Sequence, residues 1–369
     1  MALIFKKLKY TYDMNFFDTT NIYFYSDIDD FRTYAYSKDG KRGLPHISLA
    51  LACTEDRIPL YYDISPGKTA DITCFKKYIE TKPNNTKIFI FDAGCYSFDV
   101  ITQLESDKFK SKYICGADIS KYEYTSDLYT IELHEQKWDI REAKYNDHRV
   151  IEAYNIEHHK QKIEKLDKQI DRIKNLVKTV KGKTIESKRD KVYDLISSLG
   201  LKSQIKVNIV KNELELIVAE EKIKKLKNKA KKIILITNIE SKASEILEKY
   251  LGRIEVEKAF QYLKNPLSIR PIYHGKEVNI RAHGFIVMMG YLQLTILRYY
   301  LLQKYNVSVT IDKLLEELQF ATCVAIEPKE GKFLTYAGRQ LKWIKQLIID
   351  LDLPIIVESN LQSILTGYK

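Results

Sequence analysis

A chain of 369 residues with 45% hydrophobic side chains can bury a core in one large domain carrying an insertion, or in two ordinary domains, so general disorder is excluded. Lys plus Arg outnumber Asp plus Glu by 60 to 49, a net charge of +11 that makes a polyanion a natural partner without specifying one. Cys53, Cys74, Cys95, Cys115 and Cys323 are widely spaced with no C-x-x-C pair, which argues against a zinc knuckle or a disulfide framework and fits a reducing cytoplasm. MALIFKKLKY lacks the long apolar core of a secretory signal.

In chain order, residues 12–64 alternate extended apolar runs (MNFFDTTNIYFY, LPHISLALACT, IPLYYDIS) with turn-prone KDGKRG and TEDR, which predicts three mainly antiparallel strands. After Pro66-Gly67 the pattern switches to a helix over TADITCFKKYIE, a strand at KIFIFD, a helix near YSFDVITQLE and a strand at KYICGAD. Three antiparallel strands followed by helix, strand, helix, strand is the order of an RNase H-like α/β fold with a five-stranded mixed sheet. The first part of that core is expected over residues 1–119.

Residues 120–232 are rich in Lys and Glu and predict a helical insertion. Ile156, Ile163, Leu166, Ile170, Ile173, Val177 and Val180 fall close to heptad spacing, which predicts a hairpin or short coiled coil with Asn212 to Leu226. The run KIKKLKNKAKK, Lys222 to Lys232, reads as a solvated face, with a phosphate backbone as the other reading. At KKIILITN the strand pattern returns, and a long helical region from Ser241 through Lys264 opens the second part of the core, residues 233–305. Phe285 to Leu302 is apolar, but Gln293, Thr295 and Arg298 interrupt it, so it reads as a buried core helix and no membrane partner is expected. Residues 306–369 read as a small, helix-rich cap.

Three acidic residues stand out. Asp18 lies inside a strand of aromatic and β-branched neighbours, where an ionised carboxylate needs a cation or hydrogen-bond donors; a turn-capping role beside Thr19 and Thr20 is the plain alternative. Asp92 closes KIFIFD ahead of Ala93-Gly94, at a strand tip where α/β sheets collect functional groups, or as an ordinary N-cap. Tyr250, Arg253, Glu257 and Lys264 are spaced by three, four and seven, so on one helix they form one polar stripe flanked by Leu251, Ile254, Val256, Ala259, Phe260 and Leu263. A surface ion pair between Arg253 and Glu257 is the plain reading of that stripe. His158-His159 and His274 show no metal-ligand spacing and read as polar caps or phosphate contacts.

The DTT in a strand, Pro66 to Asp71 (PGKTAD), the DAG at Asp92, and Y-x2-R-x3-E-x6-K followed by RPIYH and IRAH resemble the bacterial DDE transposases of the "insertion sequence four" group, over about residues 12–305. The most specific part of the resemblance is the Y-R-E-K stripe with Arg270, Pro271, His274 and His283. It implies that Asp18, Asp92 and Glu257 are the catalytic carboxylates and hold two Mg2+ (or Mn2+) ions about 4 Å apart for in-line phosphoryl displacement. It further implies that Tyr250, Arg253 and Lys264, with Arg270 and His274, hold DNA near the cut; insertion-domain aromatics of relatives stack on a displaced base, and nothing in KWDIREAK marks Trp138 as one. The implied partners are double-stranded DNA, as transposon ends and target, and a second copy in a homodimer on DNA, in a bacterial cytoplasm at the nucleoid. Two positions depart from the family pattern: Gly67-Lys68 where Gly-Asn is common, and Ala93 where Arg is common. Seventeen residues precede Asp18, too few for the end-recognition domain of relatives, so an inactive remnant that only binds DNA stands as one alternative and a resolvase or nuclease of the same fold as another.

Overall fold

The computed structural model describes residues 5–319 except 7–8, 26, 35–39, 41–42, 82–86 and 120, together with the strand pair Cys323–Ile326 and Leu334–Ala337. It has the mixed α/β, RNase H-like element order, and its contacts divide it into two units, Met1–Phe89 with Gly252–Lys369, and Ile90–Leu251.

In the first unit, β1 (Met14–Tyr23), β2 (His46–Cys53) and β3 (Pro59–Pro66) form an antiparallel meander, with Asp18 opposite Leu51 and Ala50 opposite Asp63. All of HISLALAC is buried, because helices cover both faces of the central strand and the run therefore reads as continuously apolar. Helix α1 (Asp71–Glu80) places Phe75 and Tyr78 against Phe17, with ring centroids 4.9 and 5.5 Å apart. Gly67, between β3 and α1, donates its backbone N–H to Phe31 O at 3.2 Å, and a Cβ there would fall 2.0 Å from His46 O.

The second unit holds β4 (Ile88–Phe91) from Ile90 onward, α2 (Phe98–Glu105) and β5 (Lys112–Gly116). Then come β6 (Glu123–Tyr124), β7 (Tyr129–Leu133), β8 (Gln136–Tyr145) and β9 (His148–Asn155). The segment after residue 119 therefore does not enter a helix. Its strand signal is masked by charge: on β8 and β9, buried Trp138, Ile140, Ala143, Val150, Ile151 and Ala153 alternate with or adjoin Asp139, Arg141, Glu142 and Glu152. β12 (Lys232–Thr237) pairs antiparallel with both β5 and β9, giving the order β4-β5-β12-β9-β8-β6.

The helical part of the predicted insertion is α3 (Ile156–Thr179), capped by Asn155, and α4 (Ile185–Ser198), capped by Thr184. Residues 212–226 are no coiled-coil partner helix. They give β11 (Glu213–Val218), paired with β10 (Ile205–Val210), and most of α5 (Glu220–Asn228). Leu166, Ile170 and Ile173 of α3 instead share a small core with Val192, Ile196 and Ile205. The heptad positions were a core-facing stripe, and alternation in ELELIV marks the strand that replaces the second helix.

Helices α6 (Ala243–Leu251) and α7 (Ile254–Lys264) are separate, with a turn at Gly252 and Arg253, so Tyr250 does not share a helix with Glu257 and Lys264. Glycine costs a helix interior about 1 kcal/mol relative to alanine, and the predicted continuous stripe breaks at it here. Helix α8 (Glu277–Tyr305) is, among the described residues, the one helix long and apolar enough to cross a membrane. It lies on β3, where a Cβ on Gly284 would come 2.3 Å from Ile64 Cδ1 and Arg281 donates to Ile64 O at 2.6 Å. Its C-terminal half packs on Tyr10 and Tyr12, with Tyr10 and Tyr299 rings 4.7 Å apart. α9 (Ile311–Gln319) follows, then β13 (Cys323–Ile326) and β14 (Leu334–Ala337), a strand pair in the region read as a helix-rich cap; the rest of that region after Gln319 lies outside the described residues.

Gly67→Ala should lower stability by about 1–3 kcal/mol, because the added methyl meets a backbone carbonyl that cannot rotate away. The check is a shift of the urea midpoint at unchanged slope.

Candidate functional site

Pleating of β1 sends successive side chains to opposite faces, and each face has its own polar partner. On the α1 side the Thr19 hydroxyl donates to Asp71, in the first turn of that helix. On the other side, Lys264 donates to Thr20 Oγ1 at 2.6 Å, and Asp18, two residues before Thr20, faces the same way. The DTT and TAD motifs are thus complementary halves of one strand-to-helix contact.

Arg253, at the start of α7, stands between two of the predicted carboxylates: Nη1 is 3.8 Å from Asp18 Oδ2 and Nη2 is 3.5 Å from Glu257 Oε1. Asp18 also accepts the Thr19 N–H at 2.7 Å. A cavity of about 500 Å3 opens beside them, lined by Asp18, Thr20, Glu257, Lys264, Asn265 and Arg270 among others. Asp18 is 20% exposed and Glu257 51%, so the first carboxylate is recessed and the third reaches into solvent.

The placement of α7 rests on a second ion cluster that sequence reading missed. Arg57, in the β2–β3 turn at φ 66°, pairs with Glu255 in the first turn of α7, and Lys258 donates to the same carboxylate at 2.8 Å. Burial pushes the Glu255 carboxyl up, but the Lys258 and Arg57 hydrogen bonds outweigh it and hold it below the ordinary carboxylate value. The available signal was the acidic residue two positions before Glu257, which cannot share Glu257's face. Arg298 of α8 adds to the same turn by donating to Asp56 O at 2.5 Å.

In the second unit, Asp92 follows β4 and its Oδ1 accepts the Ala93 N–H at 2.8 Å, the capping geometry of an Asp at a strand tip. The same oxygen accepts from the Tyr250 hydroxyl at 3.2 Å. Tyr250 is buried at 7% exposure, so its hydroxyl is directed to a carboxylate 158 residues away in the chain. Gly116 makes room for this pair: a Cβ there would lie 2.6 Å from the Tyr250 hydroxyl and 3.0 Å from Asp92 Oδ1. Burial keeps the neighbouring Cys115 thiol well above its ordinary value, neutral and unsuited to nucleophilic attack.

The remaining candidates are dispersed. Arg270 joins the Asp18 cavity and lies 5.0 Å over the Tyr23 ring, while His274 lines a separate cavity with Arg32 and Tyr273 and meets the His283 ring at 5.9 Å. Trp138 is 7% exposed inside β8, where it has no face to offer a base. The backbone N–H of exposed His158 donates to the Asn155 cap, and the His159 ring contacts Ala230 O. Among the described residues no group of three or more His, Cys, Asp or Glu side chains is arranged to hold a metal ion.

A family model described as "Transposase DDE domain" matches residues 11–292, three quarters of the chain. The chain belongs to the DDE transposases. No curated protein matches it. Among solved structures, the transposase is similar to a piggyBac transposase, in the cryo-EM structure of its synaptic complex with hairpin DNA, at a TM-score of 0.44 and 10% identity. That likeness covers 84% of this chain, which spans about half of the other, 52%.

Two outcomes follow for the transposase. Because the Glu255 carboxyl is depressed in the folded state, its contribution is present above the unfolded carboxylate value near 4.3 and is lost as pH falls through the folded one. Glu255→Gln should therefore cost about 1–3 kcal/mol at pH 7, and the gap to the unaltered chain should narrow progressively as the pH is taken below about 4.3, in urea titrations from pH 7 downward. Gly116→Ala should displace Asp92 and Tyr250 by on the order of 1 Å and lower stability by about 1–3 kcal/mol, read as a shift of the urea midpoint. Adding Tyr250→Phe, which removes the nearest clashing atom, should restore part of that loss.

Proposed function

We propose that this transposase cuts and rejoins DNA phosphodiesters with Asp18, Asp92 and Glu257 as its DDE carboxylates, using two divalent cations, Mg2+ or Mn2+. The observation that carries the reading is local: Asp18 and Glu257 border one cavity, and Arg253, Lys264 and Arg270 stand at the same place. A recessed carboxylate and a more open one, set among cations, suit a site that takes phosphate and metal together. The donor set fits such ions, since carboxylate oxygens are hard ligands and the Arg253 guanidinium already sits between two of them as a positive charge.

When bound, the cations would neutralise and orient the attacking and leaving oxygens of an in-line displacement. The chain's own groups do the rest. Asp18, Asp92 and Glu257 supply negative charge; Arg253 offers a planar fork to phosphate and Lys264 a point charge. Tyr250 orients Asp92 through its hydroxyl, a role in addition to the DNA contact implied by its motif position. Arg270 and His274 extend the basic surface along the DNA.

In this reading the chain acts on double-stranded DNA, as transposon ends and as target, for an insertion sequence of the "insertion sequence four" group, as a homodimer on DNA at the bacterial nucleoid. Residues 1–119 and 233–305 serve as the catalytic core, 120–232 as the insertion and 306–369 as the cap.

The test uses the full chain, Mg2+ and duplex DNA taken from both flanks of its own gene. Asp18→Asn, Asp92→Asn and Glu257→Gln should each reduce nicking by about three orders of magnitude or more. The triple variant should be little worse than any single one, because groups that act as a unit are not additive. Nicking that survives the triple variant overturns the reading, and DNA binding with no nicking by the unaltered chain identifies a binding-only remnant.

A further inference from the structure

The cavity beside Asp18 and Glu257 has a side for which cleavage has no use. Besides Asp18, Glu257, Lys264 and Arg270, it is lined by Gln261 and Asn265. Glu257, Gln261 and Asn265 follow one another at intervals of four residues on α7 and its C-cap, so they share one face, with successive side chains about 6 Å apart along the axis. The opposite side of α7 is closed, since Val256, Ala259, Phe260 and Leu263 are buried. The amide-bearing face is the open one, and Gln261 and Asn265 are both exposed.

The fold uses neither amide. The Asn265 backbone closes the helix, its N–H donating to Gln261 O at 3.0 Å and its carbonyl accepting from the Ser268 N–H at 3.2 Å, but neither side chain makes a hydrogen bond among the described residues. Phosphate does not account for them either. Arg253, Lys264 and Arg270 already supply cations there, and a phosphate oxygen only accepts hydrogen bonds, so it takes up half of what a carboxamide offers. A carboxamide sets a donor beside an acceptor in one plane. That pair matches the N7 and the N6 amino group of adenine in the major groove, a space that admits an α-helix.

We infer that Gln261 and Asn265 read adenine edges in the duplex next to the cut, and so help to decide which DNA end is cleaved. Base pairs rise by about 3.4 Å, so side chains about 6 and 12 Å beyond Glu257 fall roughly two and four pairs from the scissile phosphate. This assignment rests on the proposed function only for the place of the cut, because recognition itself needs neither metal nor carboxylate.

The test uses the full chain and end duplexes from both flanks of its own gene. Each adenine within the terminal five base pairs, on either strand, is replaced in turn by 7-deazaadenine, which pairs normally and lacks the N7 acceptor. Binding is measured in EDTA and nicking in Mg2+. For the unaltered chain, one or two of the replacements should weaken binding about fivefold or more. Gln261→Ala and Asn265→Ala should each weaken binding to the unmodified end and remove the sensitivity to one replacement, because its partner is already gone. Both residues are exposed, so the variants should keep the parent melting temperature, and the replacement series on the unaltered chain is informative without them. Base-dependent binding without nicking by the unaltered chain supports this assignment and counts against the cleavage reading. Binding and nicking indifferent to every replacement, an end with no A·T pair in that stretch, or a sensitivity that persists in both variants overturns it.

Discussion

The pleat of a single buried strand governs the first unit. Because β1 turns alternate side chains to opposite faces, Phe17 and Thr19 must serve α1 while Asp18 and Thr20 must serve α7. A one-residue slip would put the aromatic ring in the charged cavity and the carboxylate in the aromatic core. The register to β2 is pinned against that slip on both sides, by rings beneath and by Lys264 above. Specificity of pairing and placement of the acidic group are one constraint.

The structure meets the cost of burying charge by pairing it locally. Glu255 has Arg57 and Lys258, Glu152 has Arg141 and Lys232, and recessed Asp18 has Arg253 with the Thr19 N–H. The first two clusters are tight and hydrogen-bonded, as structural pairs are. Arg253 instead bridges two carboxylates, Asp18 at 3.8 Å and Glu257 at 3.5 Å, beside an open cavity.

Glycine acts twice as a spacer with a stated neighbour. At Gly67 the neighbour is the His46 carbonyl, and at Gly116 it is the hydrogen bond between Tyr250 and Asp92. Their shared reason is close approach: neither residue has a positive φ, and each sits where another group occupies the volume of a methyl. The PG of one motif and the end of the strand KYICG are therefore legible as motifs only once their neighbours are known.

Much was readable along the chain. Strand runs, the helix–strand alternation after Pro66-Gly67, the strand-tip position of Asp92 and the anomaly of Asp18 among aromatic residues follow from local periodicity and the cost of burying charge, and such signals need no distant partner. The strands at 123–155 were obscured by charges on alternate positions, and the heptad of α3 was taken for a coiled coil because a core-facing stripe has the same spacing. What required the folded chain was anything set by phase or distance. The Gly252 break, which removes Tyr250 from the helix of Glu257, changes the angular phase that a continuous stripe assumes. The partners of Tyr250, Glu255 and Lys264 lie 158, 198 and 244 residues away. Hydrogen bonds over such separations are fixed by how strands and helices come to lie together, and no window of neighbouring residues contains that information.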